Sequence, residues 1–418
     1  MKARLSICNL AVLLLTMTVA FNSCVKDTVS RTYSMYTPVY KTSAEVRANI
    51  KNDAPLPVKS PGKMFVLGNY IYLNEIDKGI HVIDNSNPAN PVNKYFIAIP
   101  GNIDLAVTGT TLYADLYTDL VTIDISSPSS IVVKKITEGV FPFRRYSGNF
   151  VADNSKIITD WIKKDTTVTT DLDTHSNTGV LYFDAMALSS ISPSASNKAA
   201  IGISGSMARF TLLNNYLYTV TENALNVFNI SQPQNPVFSN KINLPFGIET
   251  IYPFKSNLFI GSQTGMLIYG IANPAQPLQA GSFSHVRVCD PVIAEDNYAF
   301  VTLSSGTRCG GFTNQLDVVN IQDIQNPKLV KSYPLTNPHG LSKDGNTLFI
   351  CDGSAGLKVF DATDVNNIKL LQTIAGMETY DIITVNGLAM VVAKDGLYEF
   401  DYSDKNKVQQ ISKISYNK

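Results

Sequence analysis

One phrase recurs eight times along the chain and leaves few folds open to it: a small or turn residue, an aliphatic, any residue, two apolar residues, then Asp, Asn or Gly. The copies are 79–84 (GIHVID), 119–124 (DLVTID), 179–184 (GVLYFD), 224–229 (ALNVFN), 265–270 (GMLIYG), 315–320 (QLDVVN), 356–361 (GLKVFD) and 396–401 (GLYEFD). Apolar positions alternate, as Leu225 and Val227 do around Asn226, which is the period of a strand. Each copy follows a hairpin signal, such as the apolar runs around Gly68-Asn69 or Asn214-Asn215, where positive φ is tolerated. Most copies precede an Asn-Pro or Ser-Pro pair, as at Asn87-Pro88, Asn235-Pro236, Asn273-Pro274 and Asn326-Pro327, before another strand. Four short strands per repeat describe a propeller blade. The expectation is an all-β, eight-bladed β-propeller of four-stranded antiparallel blades over residues 60–418, with seven blades as the alternative if one copy is irregular. A strand near residues 60–68 is expected to close the ring by pairing with the last blade's neighbours.

The N-terminus reads as an address. Lys2 and Arg4 precede an apolar run over 10–20 that is too short to span a bilayer and has the length of a secretory core. Ser23-Cys24 follows, so residues 1–23 read as a lipoprotein signal peptide and Cys24 as the lipidated first residue. Residues 24–59, rich in Ser, Thr and Tyr, read as a tether with a short helix over 43–51 capped by Ser43.

Charge narrows the partners. The chain has 34 Lys and Arg against 34 Asp and Glu, charged residues are 16% of the total, and no basic run occurs. Nucleic-acid binding needs a cation surplus to release counterions, so that partner is excluded. The chain has no P-loop, no GxSxG elbow and no HExxH helix, and no cofactor is implied.

The stretches 100–104 (PGNID), 205–210 (GSMARF), 284–291 (SHVRVCDP), 306–312 (GTRCGGF) and 351–356 (CDGSAG), with the eight phrases, resemble the LVIVD-repeat β-propeller lipoproteins of Bacteroidota. The resemblance implies a lipid-anchored outer-membrane protein, on the cell surface or the periplasmic face, and implies no particular activity.

Aligning the repeats through their turns puts an ionisable or polar group at the entry to the innermost strand of nearly every blade: Lys63, Asp104, Arg209, Glu249, Asp290, His339 and Asp381, with Arg144 and Arg145 in the equivalent neighbourhood of the irregular repeat. Such a ring is expected at the channel mouth, either as a ligand-binding site or as charges that satisfy one another in a narrow channel. Cys289 and Cys309 flank two strands of one blade and are expected to form a disulfide, leaving Cys351 as an odd thiol. The insertion over 161–178 carries Trp161, Asp165, Asp171, Asp173 and His175; a solvated hairpin is the default there and no metal is assigned. The expected function is a non-enzymatic binding or scaffolding module acting through its propeller face on an outer-membrane protein complex or a glycan or peptide ligand. The alternative is a hydrolase, a lyase or a glycan-binding protein using the polar ring.

Overall fold

The structure, a computed structural model, describes residues 28–146, 150–171, 203–285, 291–305 and 313–416. The chain divides into two units, residues 1–40 with 145–187, and residues 41–144 with 188–418.

The larger unit holds seven sheets, each with four consecutive antiparallel strands. Blade one spans residues 61–98, blade two 105–137, blade three 210–243, blade four 248–284, blade five 292–334, blade six 341–374 and blade seven 379–415. The innermost strands neighbour one another in that order, and the seventh returns to the first. The ring therefore has seven blades, the alternative count, and not eight. The phrase at 179–184 lies outside the described residues.

The repeated phrase is the third strand of each blade, and its composition follows from its place. Both faces pack on neighbours, so Ile80, Val82, Leu120, Val121, Leu225, Val227, Leu397 and Phe400 are all buried. Its closing Asp or Asn makes a turn: the Oδ1 atoms of Asp84, Asp124, Asn229, Asn320, Asp361 and Asp401 each accept from the backbone N–H two residues on. Its opening glycine admits the fourth strand. At Gly79 (φ 144°) a Cβ would lie 2.0 Å from the Ile97 carbonyl oxygen, and at Gly265 (φ 154°) it would lie 2.3 Å from that of Phe283.

Apolar clusters form between blades. One joins Met64, Val66, Ile71 and Leu73 of blade one to Ile383, Met390, Val392 and Leu397 of blade seven. This packing is what closes the ring. The strand Pro61–Leu67 belongs to blade one alone, and the expected pairing with the last blade's neighbours does not occur, because blade seven already has four strands of its own. Blade one instead gains two extra strands, Lys51–Asp53 on its outer edge and Ile203–Ser204 on its inner edge. The helix Ser43–Arg47 is capped by Thr42, not Ser43: Glu45 N–H donates to the Thr42 hydroxyl and the Glu45 carboxylate accepts from Thr42 N–H. Arg47 then reaches Asp119 and Glu138 of blade two, both at 2.6 Å.

In the smaller unit, Thr28–Lys41 pairs with Ile157–Asp171. Side-chain bonds run in opposite chain directions along the ribbon, Thr32 to Thr167 at 3.0 Å and Ser34 to Asp165 at 2.6 Å. Trp161 packs edge-on with Tyr146 and Phe150, ring centroids 5.4 and 5.3 Å away.

Candidate functional site

The hub of the ring is occupied by the chain itself. Ile203–Ser204 pairs antiparallel with the innermost strand of blade one, Ile203 opposite Val66 and Ser204 opposite Phe65. The chain then crosses to Phe210, the start of blade three, and touches most of the ring on the way. Gly205 N–H donates to Met64 O of blade one at 3.4 Å, and the Ser206 hydroxyl accepts from Leu341 N–H of blade six at 2.6 Å. Ala208 O accepts from Ile251 N–H of blade four at 2.7 Å, and Arg209 N–H donates to Asp104 Oδ2 of blade two at 2.7 Å. Asp381 of blade seven lies so close that a Cβ on Gly205 would fall 2.0 Å from Oδ2, and one on Gly340 of blade six 2.3 Å from Oδ1. Only glycine fits at those two positions.

The polar groups read from the sequence meet this crossing segment. Lys63 is 1% exposed, Asp104 2% and Asp381 1%. Lys63 Nζ donates to Met207 O at 3.2 Å and lies 3.5 Å from Asp104 Oδ2. Asp104 Oδ1 also accepts from Leu105 N–H at 2.7 Å. Neither carboxyl oxygen of Asp381 makes a well-formed hydrogen bond. Burial lowers the Lys63 ammonium to about 8 against the pull of Asp104 and Asp381. Burial raises the Asp381 carboxyl to about 7, with the Ile382 amide, Lys63 and Ser206 acting the other way. Three charged side chains from three blades therefore serve one another and the crossing chain.

The other ring residues are spread around the same face. Glu249 is buried and accepts from Gln263 Nε2 at 3.1 Å. His339 is partly buried, its Nε2 3.2 Å from Asn337 Nδ2 and its ring edge-on to Tyr380 at 5.8 Å. Burial lowers its pKa, opposed by Asp352 and Glu378. Arg144 bonds Asp77 at 2.6 Å and Gly101 O at 2.7 Å, with its guanidinium 4.6 Å over the Tyr117 ring. Arg145 belongs to the other unit. Asp290, Cys289 and Cys309 lie outside the described residues, as do Cys24, Asp173 and His175. Asp165 accepts from Ser34 and lies 3.6 Å from Lys163. Among the described residues no group of three or more His, Cys, Asp or Glu side chains is placed to hold a metal. Cys351 is a buried free thiol whose pKa is raised by burial.

A second set of carboxylates was not singled out by the repeat alignment. Asp115, at the end of the second strand of blade two, accepts from Ile103 N–H, Asp104 N–H and Asn102 Nδ2, each at 2.8 Å. Asp352 of blade six accepts from Thr336 and Asn337 N–H, and Glu75 of blade one from Lys59 and Ser60 N–H. Each holds the loop that enters an innermost strand. The signal for them is their shared distance from the phrase, a few residues upstream of its start.

Among the described residues, aromatic side chains stand exposed on the connections that lead to the hub face. Phe143 is 47% exposed and Phe246 60%, on the connections leaving blades two and three toward the hub face. Tyr117 and Tyr380 are partly exposed on the same face.

The family description that matches this chain is the LVIVD repeat, over residues 62–96, 103–138 and 204–243, which are blades one, two and three. The chain carries LVIVD repeats. The match to 204–243 includes the crossing segment, so the passage through the hub is part of that LVIVD repeat. No curated protein sequence matches the chain. Many solved structures match the fold, two of them as follows. One is the computationally designed Ika8 protein, at 9% identity over 87% of this chain and 91% of that one, TM-score 0.51. The other is a protein from Lactobacillus plantarum, at 11% identity over 85% and 96%, TM-score 0.53.

Proposed function

We propose that this protein is a non-enzymatic binding or scaffolding module, held at the outer membrane by a lipid on Cys24, which receives a protein, peptide or glycan on the propeller face where the chain enters the hub. One observation carries the choice over a hydrolase or lyase: the acids best placed for shared chemistry, Asp104 and Asp381, are buried beneath the crossing segment within the field of Lys63. General acid–base work needs a side chain within hydrogen-bond reach of a substrate. The face instead offers Phe143, Phe246, Tyr117 under Arg144, and Tyr380 beside His339. Exposed aromatic side chains with a few polar neighbours are typical contact anchors.

Mild-detergent extraction of tagged protein, followed by identification of what co-purifies, tests this reading. The wild type is expected to retain a partner, and a Phe143→Ala/Phe246→Ala variant to lose it by about tenfold or more, on the order of 1–2 kcal/mol for each aromatic anchor. Wild-type protein that always emerges alone, together with no signal on glycan arrays, would overturn it.

A further inference from the structure

Several neighbouring blades are clasped by neutral hydrogen bonds. Tyr113, in the second strand of blade two, donates to Pro233 O at 2.7 Å, and Tyr218, in the second strand of blade three, donates to Pro274 O at 2.9 Å. Each carbonyl lies in the loop that follows the next blade's repeated phrase. Between blades six and seven, Gln372 Nε2 donates to Val408 O and Gln372 Oε1 accepts from Val408 N–H, both at 3.0 Å. Phenols and amides do not titrate near neutral pH, so these clasps hold whatever the proton concentration there.

Blades seven and one are the two ends of the ring, and no connecting segment joins them directly. In blade seven Met390 stands where Tyr113 and Tyr218 stand, opposite Glu399 as they are opposite Thr122 and Val227. The contact with the next blade's loop passes instead to Glu399, whose Oε2 accepts from Asn85 Nδ2 at 3.0 Å. Glu399 Oε1, Asn85 Oδ1 and the hydroxyls of Ser412 and Tyr416 are buried without hydrogen-bond partners. Ser412 lies opposite Glu399, and Tyr416 packs in the apolar cluster that blade seven shares with blade one. Unpaired buried groups regain water when two blades part, so closure is costly along this seam.

We propose that the outer half of the seam between blades seven and one is a proton-dependent clasp, at which the ring parts locally before it unfolds. A protonated Glu399 can donate to the Asn85 amide oxygen while it accepts from the Asn85 amide nitrogen, and this closes the clasp; an ionised one can only accept. Burial raises this carboxyl to about 7, against the lowering effect of Asn85. The other ionisable groups nearby are engaged elsewhere: Glu75 with His81, Asp84 with Lys94, Asp395 with Lys413 and Tyr398, and Asp401 with the Ser403 N–H. The hub end of the seam, with Lys63 and Asp381, stays tied. There the crossing segment bonds Met64 O of blade one through Gly205 and Leu341 N–H of blade six through Ser206.

Thiol labelling of the full chain in mild detergent, with a dithiodipyridine reagent that reacts at acid pH and with the labelled site located by peptide mapping, tests the clasp. Ser412→Cys places a thiol on the seam, and Asn240→Cys places one in the same slot of blade three, opposite Val227; both sites are partly buried. Dividing each rate by that of the urea-unfolded variant at the same pH removes the titration of the thiol itself. At pH 8 the corrected rate at 412 is expected to exceed that at 240 by about tenfold or more. Adding Glu399→Gln should slow labelling at 412 by about tenfold or more at pH 8 and by about twofold or less at pH 4, because opening releases the Glu399 proton only at the higher pH. Ile414→Cys, in the same apolar cluster, is read in place of Ser412→Cys if that variant melts early. A seam thiol no faster than the blade-three thiol at pH 8 overturns the proposal, since the seam then opens only with the whole ring. So does a fast seam thiol that Glu399→Gln leaves unchanged at pH 8, or slows equally at both pH values.

Discussion

Replacing Lys63 with Met is expected to lower stability by about 3–5 kcal/mol at pH 7, read from the urea midpoint, because it strands buried acid without its cation. The two carboxylates are not equally exposed to that loss. Asp104 keeps the Leu105 and Arg209 N–H groups, at 2.7 Å each. Asp381 has no well-formed bond to either oxygen and rests against Gly205 and Gly340. The damage should therefore fall on Asp381, and adding Asp381→Asn to the Lys63 variant should recover about 1–2 kcal/mol as a coupling between neighbours. A single variant within about 0.5 kcal/mol of wild type, the range of ordinary surface changes, would mean that the hub is wet enough to hydrate these groups.

Glu399→Gln is expected to stabilise the protein at pH 8 and to do little at pH 4. Glu399 is fully buried where blade seven meets blade one, and Asn85 Nδ2 of blade one donates to its Oε2 at 3.0 Å. Its Oε1 and Asn85 Oδ1 are buried without hydrogen-bond partners, as is the hydroxyl of Ser412 directly across the sheet. The Asn85 amide oxygen can only accept, so a protonated carboxyl supplies a donor that an ionised one does not. Burial accordingly pushes the carboxyl up to about 7, against the lowering effect of Asn85. The folded chain thus keeps a proton that the unfolded chain begins to release near the ordinary value of 4.5. Where the folded state binds more protons, stability falls as pH rises, so the loss accumulates between pH 4.5 and 7 and is complete above. Glutamine keeps the donor and removes the titration. The expected gain at pH 8 is about 1–2 kcal/mol, after allowance for screening by nearby water. Asp381 titrates in the same direction, so some pH slope should survive in the variant. Melting curves at pH 4, 6 and 8 read the effect, and a gain equal at all three would contradict it.

Much of the blade was legible in the sequence because its causes are local. The phrase alternates like a strand, its end residue makes a turn with its own backbone, and its glycine sits where the next strand approaches. The blade count was less legible, since it is fixed by how many blades close a ring and not by how often a phrase occurs. The hub's content was legible in kind: the alignment brought Lys63, Asp104 and Asp381 to one level. That a stretch of chain would run through the middle of them was not, because 203–209 reaches the hub after a long insertion and touches blades far away in sequence. Glu399 had a signal that repeat alignment offers. It occupies the slot held by Val82, Thr122, Val227, Ile268, Val318 and Val359 in the other blades, and is the one charged residue there.

Residue-resolved hydrogen exchange on the segment 203–209 is the most direct test of the claim that the hub is filled and locked by the chain itself. The N–H groups of Gly205 and Arg209, and that of Leu341 which donates to Ser206, should exchange as slowly as those of the blade strands, at rates set by global opening. Exchange at the rate of a surface loop, with the blades still protected, would contradict it and would return the polar ring to the role of an open mouth.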